Sequence, residues 1–548
     1  MKRNPFIRKS ISLLLIICIV LISGCGAAQA PAGNGSSAGG EEQSQDVLPE
    51  KSQKDPANDI EKVEAFYLTS ESGENSNLYE NPNADRAFTQ YRSFAIEDFK
   101  NTISPGSNEI TSPLSFYYAL AIMANGAKGV TRNQIENVLG MTVEDANQFL
   151  YELDKESFGY GIKGFNKANA IWFNTDLGQL EQEYKDTVTK YYGDSVFEDS
   201  FADKQRLASE VNQWSSRETD GGIENILDES DIKADSIILI LNALTAGGNW
   251  MMQFDPGETR YEEFHGYNGS GGMVEMMHQT LYGFWETEDC TGFMKDIENG
   301  ICFIALLPNE GEDIYDFINS MDSETIKELL DSYHTEDLVE TTTVNTPNGS
   351  YESQLVDEHY TVLSFPKYSY DTEYDLTEVL RKFGLSDLLD YTTCDFSGIS
   401  DQVYVQDAKQ RATIEVDEEK ATAAAVSVMV GGLGAGGPEV RNTYYHEVKF
   451  DRPFVYAFID WYGNMPMFLG VVADIGEQKG EAFMIENIAG TINIRNIPST
   501  KGEVVGHYEL GQTVYAFETT TAEGYTWYRI GDGKWVADQN GEWIKKAD

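Results

Sequence analysis

Residues 108–141, NEITSPLSFYYALAIMANGAKGVTRNQIENVLGM, decide how this chain is read. Ser112-Pro113 marks a helix start, because the N–H that proline lacks has no partner at the first helical position anyway. Residues 114–123 are apolar on every side, which predicts a buried helix, and Gly126 ends it. A second helix is expected over 131–139, capped by Thr131 or Asn133. Upstream, Phe88, Tyr91, Phe94, Ala95, Phe99 and Ile103 recur at helical spacing and predict an amphipathic helix over 86–103.

The chain has 548 residues, enough for about two to four domains. Its 90 acidic against 40 basic residues give a net charge of −50, which argues against nucleic acid and against docking on an anionic membrane surface. Lys2, Arg3, Arg8 and Lys9 precede a short apolar run over 11–22, the pattern of a secretory segment. The run ends Leu21-Ile22-Ser23-Gly24-Cys25, which resembles the bacterial lipoprotein signal, with Cys25 as the lipidated thiol. The expected location is the extracellular face of a bacterial cell membrane, held by lipid alone. Residues 1–25 thus read as signal and lipobox, and 26–85 as an acidic, Gly/Ser-rich tether without apolar periodicity. Gly35-Ser36-Ser37-Ala38-Gly39 matches a nucleophile-elbow pattern but lacks its strand–turn–helix context. Cys290, Cys302 and Cys394 remain, an odd number without zinc spacing. Mostly free, buried thiols are expected, with a Cys290–Cys302 pair open if two strands bring them together.

From Ser112 onward the motifs resemble, in order, those of the serpins, a family of conformational protease inhibitors. Ser112-Pro113-Leu114-Ser115, Ala119-Leu120, Gly126-Ala127-Lys128-Gly129, Thr131, Gln134-Ile135 and Leu139-Gly140 match the first signature. Ala168-Asn169-Ala170-Ile171-Trp172, Val211-Asn212-Gln213-Trp214, the apolar run 237–244 with Trp250 and Phe254, and Ala305-Leu306-Leu307-Pro308 follow. Phe365-Pro366-Lys367, Asp395-Phe396-Ser397-Gly398-Ile399, Phe450-Asp451-Arg452-Pro453-Phe454 and Phe468-Leu469-Gly470 complete the set. The resemblance implies an α+β serpin fold over 86–476, with a large central β-sheet, two further sheets and about eight or nine helices. Residues 486–548 read as short strands between Gly-rich turns and resemble a small all-β bacterial SH3-like barrel. In other proteins such modules bind cell-wall peptide or dock on a neighbouring domain. Trp527, Tyr528, Trp535 and Trp543 suit a core or a ligand platform.

The resemblance also implies a role for residues 411–453. Ala412, Ile414 and Val416 alternate with Thr413, Glu415 and Asp417 as in a half-buried strand. The acids Glu418 and Glu419 align with the family's hinge, which continues through Lys420 and Ala421 into an inserting loop, Thr422, Ala423, Ala424, Ala425, Val426 and Ser427. Residues 421–438 carry no charge, and no proline precedes Pro438, so nothing in them bars entry into a sheet. Ala421, Ala423, Ala425, Ser427, Met429 and Gly431 form the core-facing set. Family loop length puts the scissile bond at Gly434-Ala435, suited to an elastase-like or subtilisin-like protease; the rival is Arg441-Asn442, for a trypsin-like one. Ser112, Ser115, Asn242, Trp250 and Gln410 fall in the region where the sheet opens. Three features depart from the family: Lys420 stands where a flexible glycine is usual, Gln410 where inhibitory relatives have histidine, and the loop from the expected bond to Glu447 is longer than usual, with residues 439–446 extra.

The six histidines are scattered, with no H-E-x-x-H pattern, P-loop or Rossmann fingerprint. No enzyme activity, metal or cofactor is expected. The chemistry implied is the partner's: a serine protease, or alternatively a cysteine protease, forms an acyl-enzyme with the loop and is trapped when the loop inserts. A monomer is expected. The alternative is a non-inhibitory serpin-fold binding or adhesion module on the bacterial surface.

Overall fold

The computed structural model describes residues 13–23, 63–65, 83–155, 165–193, 196–218, 225–246, 248–297, 301–333, 336–346, 349–400, 403–418, 440–460, 464–475, 481–486, 490–531, 534–539 and 541–546. The buried helix expected after Ser112 spans Pro113–Ala124, and all its residues are buried. Ser112 caps it, its hydroxyl accepting from Ser115 N. The upstream amphipathic helix is Ala84–Thr102, packed through Phe88, Tyr91, Phe94 and Phe99. The third helix, Gly129–Leu139, begins earlier than expected and has Lys128, not Thr131 or Asn133, at its N-cap. The Thr131 hydroxyl instead accepts from Asp395 N at 2.8 Å, so a tertiary contact takes the side chain that local pattern assigned to the cap.

That contact shows what two of the glycine motifs do. Lys128 N donates to Asp395 O, and Gly398 N to Gly126 O at 3.0 Å. A Cβ on Gly126 would lie 2.0 Å from Ile399 Cγ1, so the approach requires glycine. Asn212 explains another motif: its Oδ1 accepts from Ile226 N and Leu227 N, tying the helix Lys204–Glu218 to the following loop.

Three sheets organise the larger domain. The central one has six strands in the order Tyr368–Asp375, Val403–Val416, Leu13–Ser23, Ser236–Ala246, Phe165–Asn174, Val196–Asp199. Its third position is held by the apolar run read as a secretory segment. Leu13–Ser23 runs antiparallel to both neighbours, from Leu14 opposite Thr413 to Ser23 opposite Val403 on one side. The second sheet, Glu109–Thr111, Met465–Val472, Phe454–Asp460, Ile301–Pro308, Cys290–Ile297 and Trp285–Glu286, lies in the core. Every residue of Ile301–Pro308, Phe454–Asp460 and Met465–Val472 is buried, so these strands read as continuous apolar runs. The third sheet pairs Glu336–Thr346, Gly349–Pro366, Gly271–Tyr282 and Arg260–His265, with Val440–Lys449 alongside Gly349–Pro366. Nine α-helices occur among the described residues.

Cys290, Cys302 and Cys394 are free and buried. Cys302 lies opposite Asp296 and Cys290 opposite Pro308, so their strands are adjacent but the cysteines are far apart in register.

The C-terminal unit has a core of its own, including Phe483, Ile492, Ile494, Val514, Ile530, Val536 and Ile544. It comprises one sheet of three strands and one of five. The strand Glu481–Ile485, which precedes the expected start at residue 486, pairs with Thr513–Ala516 and Ile544–Lys546. Trp527 is fully buried there.

Phe303 sits amid the rings of Trp250, Phe293, Phe365, Tyr456 and Phe458. Phe303→Ala is expected to cost about 3–5 kcal/mol, from lost transfer energy and the cavity left behind. Denaturant unfolding checks this; a loss below about 1 kcal/mol would show that the ring cluster is not tightly packed.

Candidate functional site

The site is the end of the strand Val403–Val416 and the ground beneath it. At the end, Trp250 Nε1 donates to Asp417 O at 3.0 Å. Trp250 is buried and meets Phe254 and Phe303 edge-on. Buried Lys295 lies 5.4 Å from the Trp250 ring centre and 4.7 Å from that of Phe254. Its ammonium donates to Met252 O and Gln279 Oε1, and burial lowers its pKa to about 7. The indole is thus packed on its faces, and its one donor is spent on the backbone just before the hinge.

Glu418, the first of the expected hinge acids, is buried, and its carboxylate lies 2.8 Å from Lys367 Nζ. Burial raises the Glu418 pKa, but the Lys367 ammonium outweighs it and holds the carboxyl below its usual range. Lys367 also meets Glu275 at 3.1 Å. Sequence reasoning missed Lys367 and Glu275 as site residues, because no local pattern marks charges that meet only through the fold.

Beneath the sheet Gln410 is completely buried. Its Nε2 donates to Ser112 O at 3.2 Å, and its Oε1 accepts from Thr111 Oγ1 at 2.8 Å and Ser112 N at 3.4 Å. Ser112 Oγ donates to Met467 O at 2.8 Å, so the same serine caps the helix and ties it to the second sheet. Ser115 Oγ is buried and finds no hydrogen-bond partner among the described residues. Asn242 and Gln410 both stand opposite Ile17, so the two occupy one row across the central place in the sheet.

Thr111 Oγ1 is also 2.9 Å from Asp98 Oδ2. One hydroxyl carries one proton and cannot donate to both oxygens. The chain closes if neutral Asp98 donates to Thr111, which then donates to Gln410. Asp98 is fully buried, and burial raises its carboxyl to about 7.

The remaining expected site residues, Glu419, Lys420, Ala421, the loop 422–427 and the Gly434-Ala435 bond, lie outside the described residues, as does Cys25. The rival bond is described. Arg441 and Asn442 belong to the strand Val440–Lys449, with Arg441 paired to Glu358 and Asn442 Nδ2 donating to Asp357 Oδ1 at 2.7 Å.

A strand end gripped at the mouth of a sheet, over a buried polar latch, is the geometry that the described residues show. The family model "Serpin (serine protease inhibitor)" matches residues 83–475. The chain is a serpin. An alpha-1-antitrypsin-like protein of Tamias sibiricus is 26% identical over 417 residues, covering 73% of this chain and 91% of that protein. Thyroxine-binding globulin of Sus scrofa is 27% identical over 406 residues, covering 72% and 88%. The native-state crystal structure of tengpin, a thermophilic serpin, superimposes with a TM-score of 0.57 at 25% identity, covering 71% of this chain and 94% of that one. The serpin fold thus spans the larger domain, and the C-terminal strands extend beyond it.

Asp98 gives this serpin a distinctive pH dependence. Its folded pKa lies above the unfolded value of about 3.9, so between about pH 4 and 7 the folded chain keeps a proton that the unfolded chain has lost. Stability therefore falls as pH rises through that window. Asp98→Asn is expected to remove the share of the loss that Asp98 contributes, gaining on the parent by on the order of 1 kcal/mol per pH unit. Denaturant unfolding at several pH values checks this; a constant gap between variant and parent would contradict a neutral Asp98.

Proposed function

We propose that this serpin traps a serine protease, elastase-like or subtilisin-like by its loop, as an acyl-enzyme through insertion of residues 421–433 into the central sheet. The observation that carries the reading is the sheet's central position. There, between Val403–Val416 and Ser236–Ala246, a strand runs antiparallel to both walls, away from the hinge end. A loop folding back after Glu418 runs the same way. Cleavage before Cys25 would remove Leu13–Ser23 and leave that place empty.

Register supports the choice of residues. Ala408, Gln410, Ala412, Ile414 and Val416 are the buried face of their strand. A turn over 417–420 sets Ala421 opposite Val416, and directly opposed residues share a face. Ala423 then meets Ile414 and Ala425 meets Ala412, small against apolar. Ser427 falls in the row of Gln410 and Asn242, so the one hydroxyl of the inward set meets the polar row. The paired, in-sheet positions of Arg441 and Asn442 favour Gly434-Ala435 as the cut.

The lipobox favours anchoring at Cys25 on the outer face of a bacterial membrane, and the C-terminal unit suits an SH3-like module that contacts cell-wall peptide. A non-inhibitory role is the second reading, favoured by Lys420 in the hinge and by a hormone-binding globulin among the relatives.

The test uses the chain from residue 26 onward, incubated with elastase-like and subtilisin-like proteases. A denaturant-stable complex with cleavage at Gly434-Ala435 is expected; turnover of the loop without a complex sinks the inhibitory reading. Ala423→Arg is expected to abolish the complex while leaving loop cleavage intact, because its side chain enters the core. Thr422→Arg, on the outer face, is expected to retain it. Equal effects at the two positions would overturn the register.

A further inference from the structure

The C-terminal unit does not stand apart from the hinge. Lys534, on its strand Lys534–Asp538, places Nζ 2.9 Å from Glu275 Oε1, while Lys367 meets the other oxygen of Glu275 at 3.1 Å. Lys367 in turn meets Glu418 at 2.8 Å. The relative exposures of these side chains are 18%, 16%, 27% and 8% for Lys534, Glu275, Lys367 and Glu418. All four are thus largely withdrawn from water, where charge pairing counts for more than at an exposed surface. The unit is seated beside them by an aromatic contact, Phe517 against Tyr261 with ring centres 4.8 Å apart, and Arg529 lies over the Phe517 ring. Gly506 packs close to Gly257 O in the same interface.

We propose that the C-terminal unit acts as a brake on the reactive-loop hinge, through the alternating charges Lys534, Glu275, Lys367 and Glu418. The hinge role of Glu418 rests on the function proposed above. Glu275 and Glu418 compete for one ammonium, that of Lys367. Lys534 satisfies Glu275 and leaves Lys367 to hold Glu418 at the mouth of the sheet. When the unit withdraws, Glu275 draws on Lys367, the grip on Glu418 weakens, and the loop enters the sheet more readily. The brake is electrostatic and works at one remove, since among the described residues Lys534 reaches Glu418 through Glu275 and Lys367.

The arrangement makes a sign prediction that mere loss of packing does not. In the chain from residue 26 onward, Lys534→Gln is expected to raise amide hydrogen exchange over 414–418 and thermolysin cutting within 419–439 by about 5-fold, the equivalent of about 1 kcal/mol. Adding Glu275→Gln should bring both rates back to the parent's, because the competitor for Lys367 is gone. Lys534→Arg should behave as the parent. Phe517→Ala, which loosens the seat without touching a charge, should raise both rates. Exchange over 534–538 in each variant reports whether the unit itself stays folded. An unchanged hinge in Lys534→Gln with the unit folded overturns the brake. So does a double variant as fast as the single one, because it leaves only packing as the cause. Exchange is read before any protease is added. Failure to form a complex with a target protease would therefore sink the inhibitory function without moving these rates.

Discussion

The proposed function sets one requirement on the serpin domain. The strand Val403–Val416 must be held at its end and along its buried face, while the place beside it remains able to take another strand. The hold is polar where the neighbouring surface is apolar. Trp250 grips Asp417 O, Lys367 grips Glu418, and Gln410 is stitched to Ser112 and Thr111. The Trp250 and Gln410 contacts are buried, so breaking one without a substitute leaves an unpaired polar group and costs about 1–3 kcal/mol. Insertion of a strand must therefore supply new partners as it proceeds. Under the proposed register Ser427 would enter the row of Gln410, and it is the loop residue equipped to do so.

The rest of the domain makes that local tension possible. The second sheet and the helices Ala84–Thr102 and Pro113–Ala124 form a core dense in aromatic rings, which resists compression and fixes the floor beneath the central sheet. The helix Pro113–Ala124 couples floor to sheet, since its cap Ser112 bonds to Met467 and contacts Gln410. On the proposed function, opening falls on the seam between Val403–Val416 and Ser236–Ala246, the seam that Leu13–Ser23 fills in the full-length chain.

Much of this was legible in the sequence because serpin motifs are packing instructions. Gly126 and Gly398 read as family glycines and prove to be one backbone contact, and Asn212 reads as a motif letter and proves to be a loop clamp. The helix starting at Pro113 followed from proline, cap and apolar run. What sequence did not disclose was long-range: Asp98 to Gln410 through Thr111, and Lys534 to Glu418 through Glu275 and Lys367. Isolated charges carry no periodicity, and their meaning depends on which strands the fold sets side by side. The cap of Gly129–Leu139 was misread for the same reason, since Asp395 claims the Thr131 hydroxyl. The hairpin Glu336–Thr346 with Gly349–Pro366 had no counterpart in the motif pattern.

The central claim is that the cleaved loop fills the sheet's central place once residues 13–23 are gone. The most direct measurement is the thermal midpoint of the chain from residue 26 onward, before and after a single cut confined to 419–439. Insertion adds a full strand with its ladder of hydrogen bonds and its buried alanines, so a large rise in midpoint is the expected result. An unchanged or lower midpoint after a clean cut would contradict the claim.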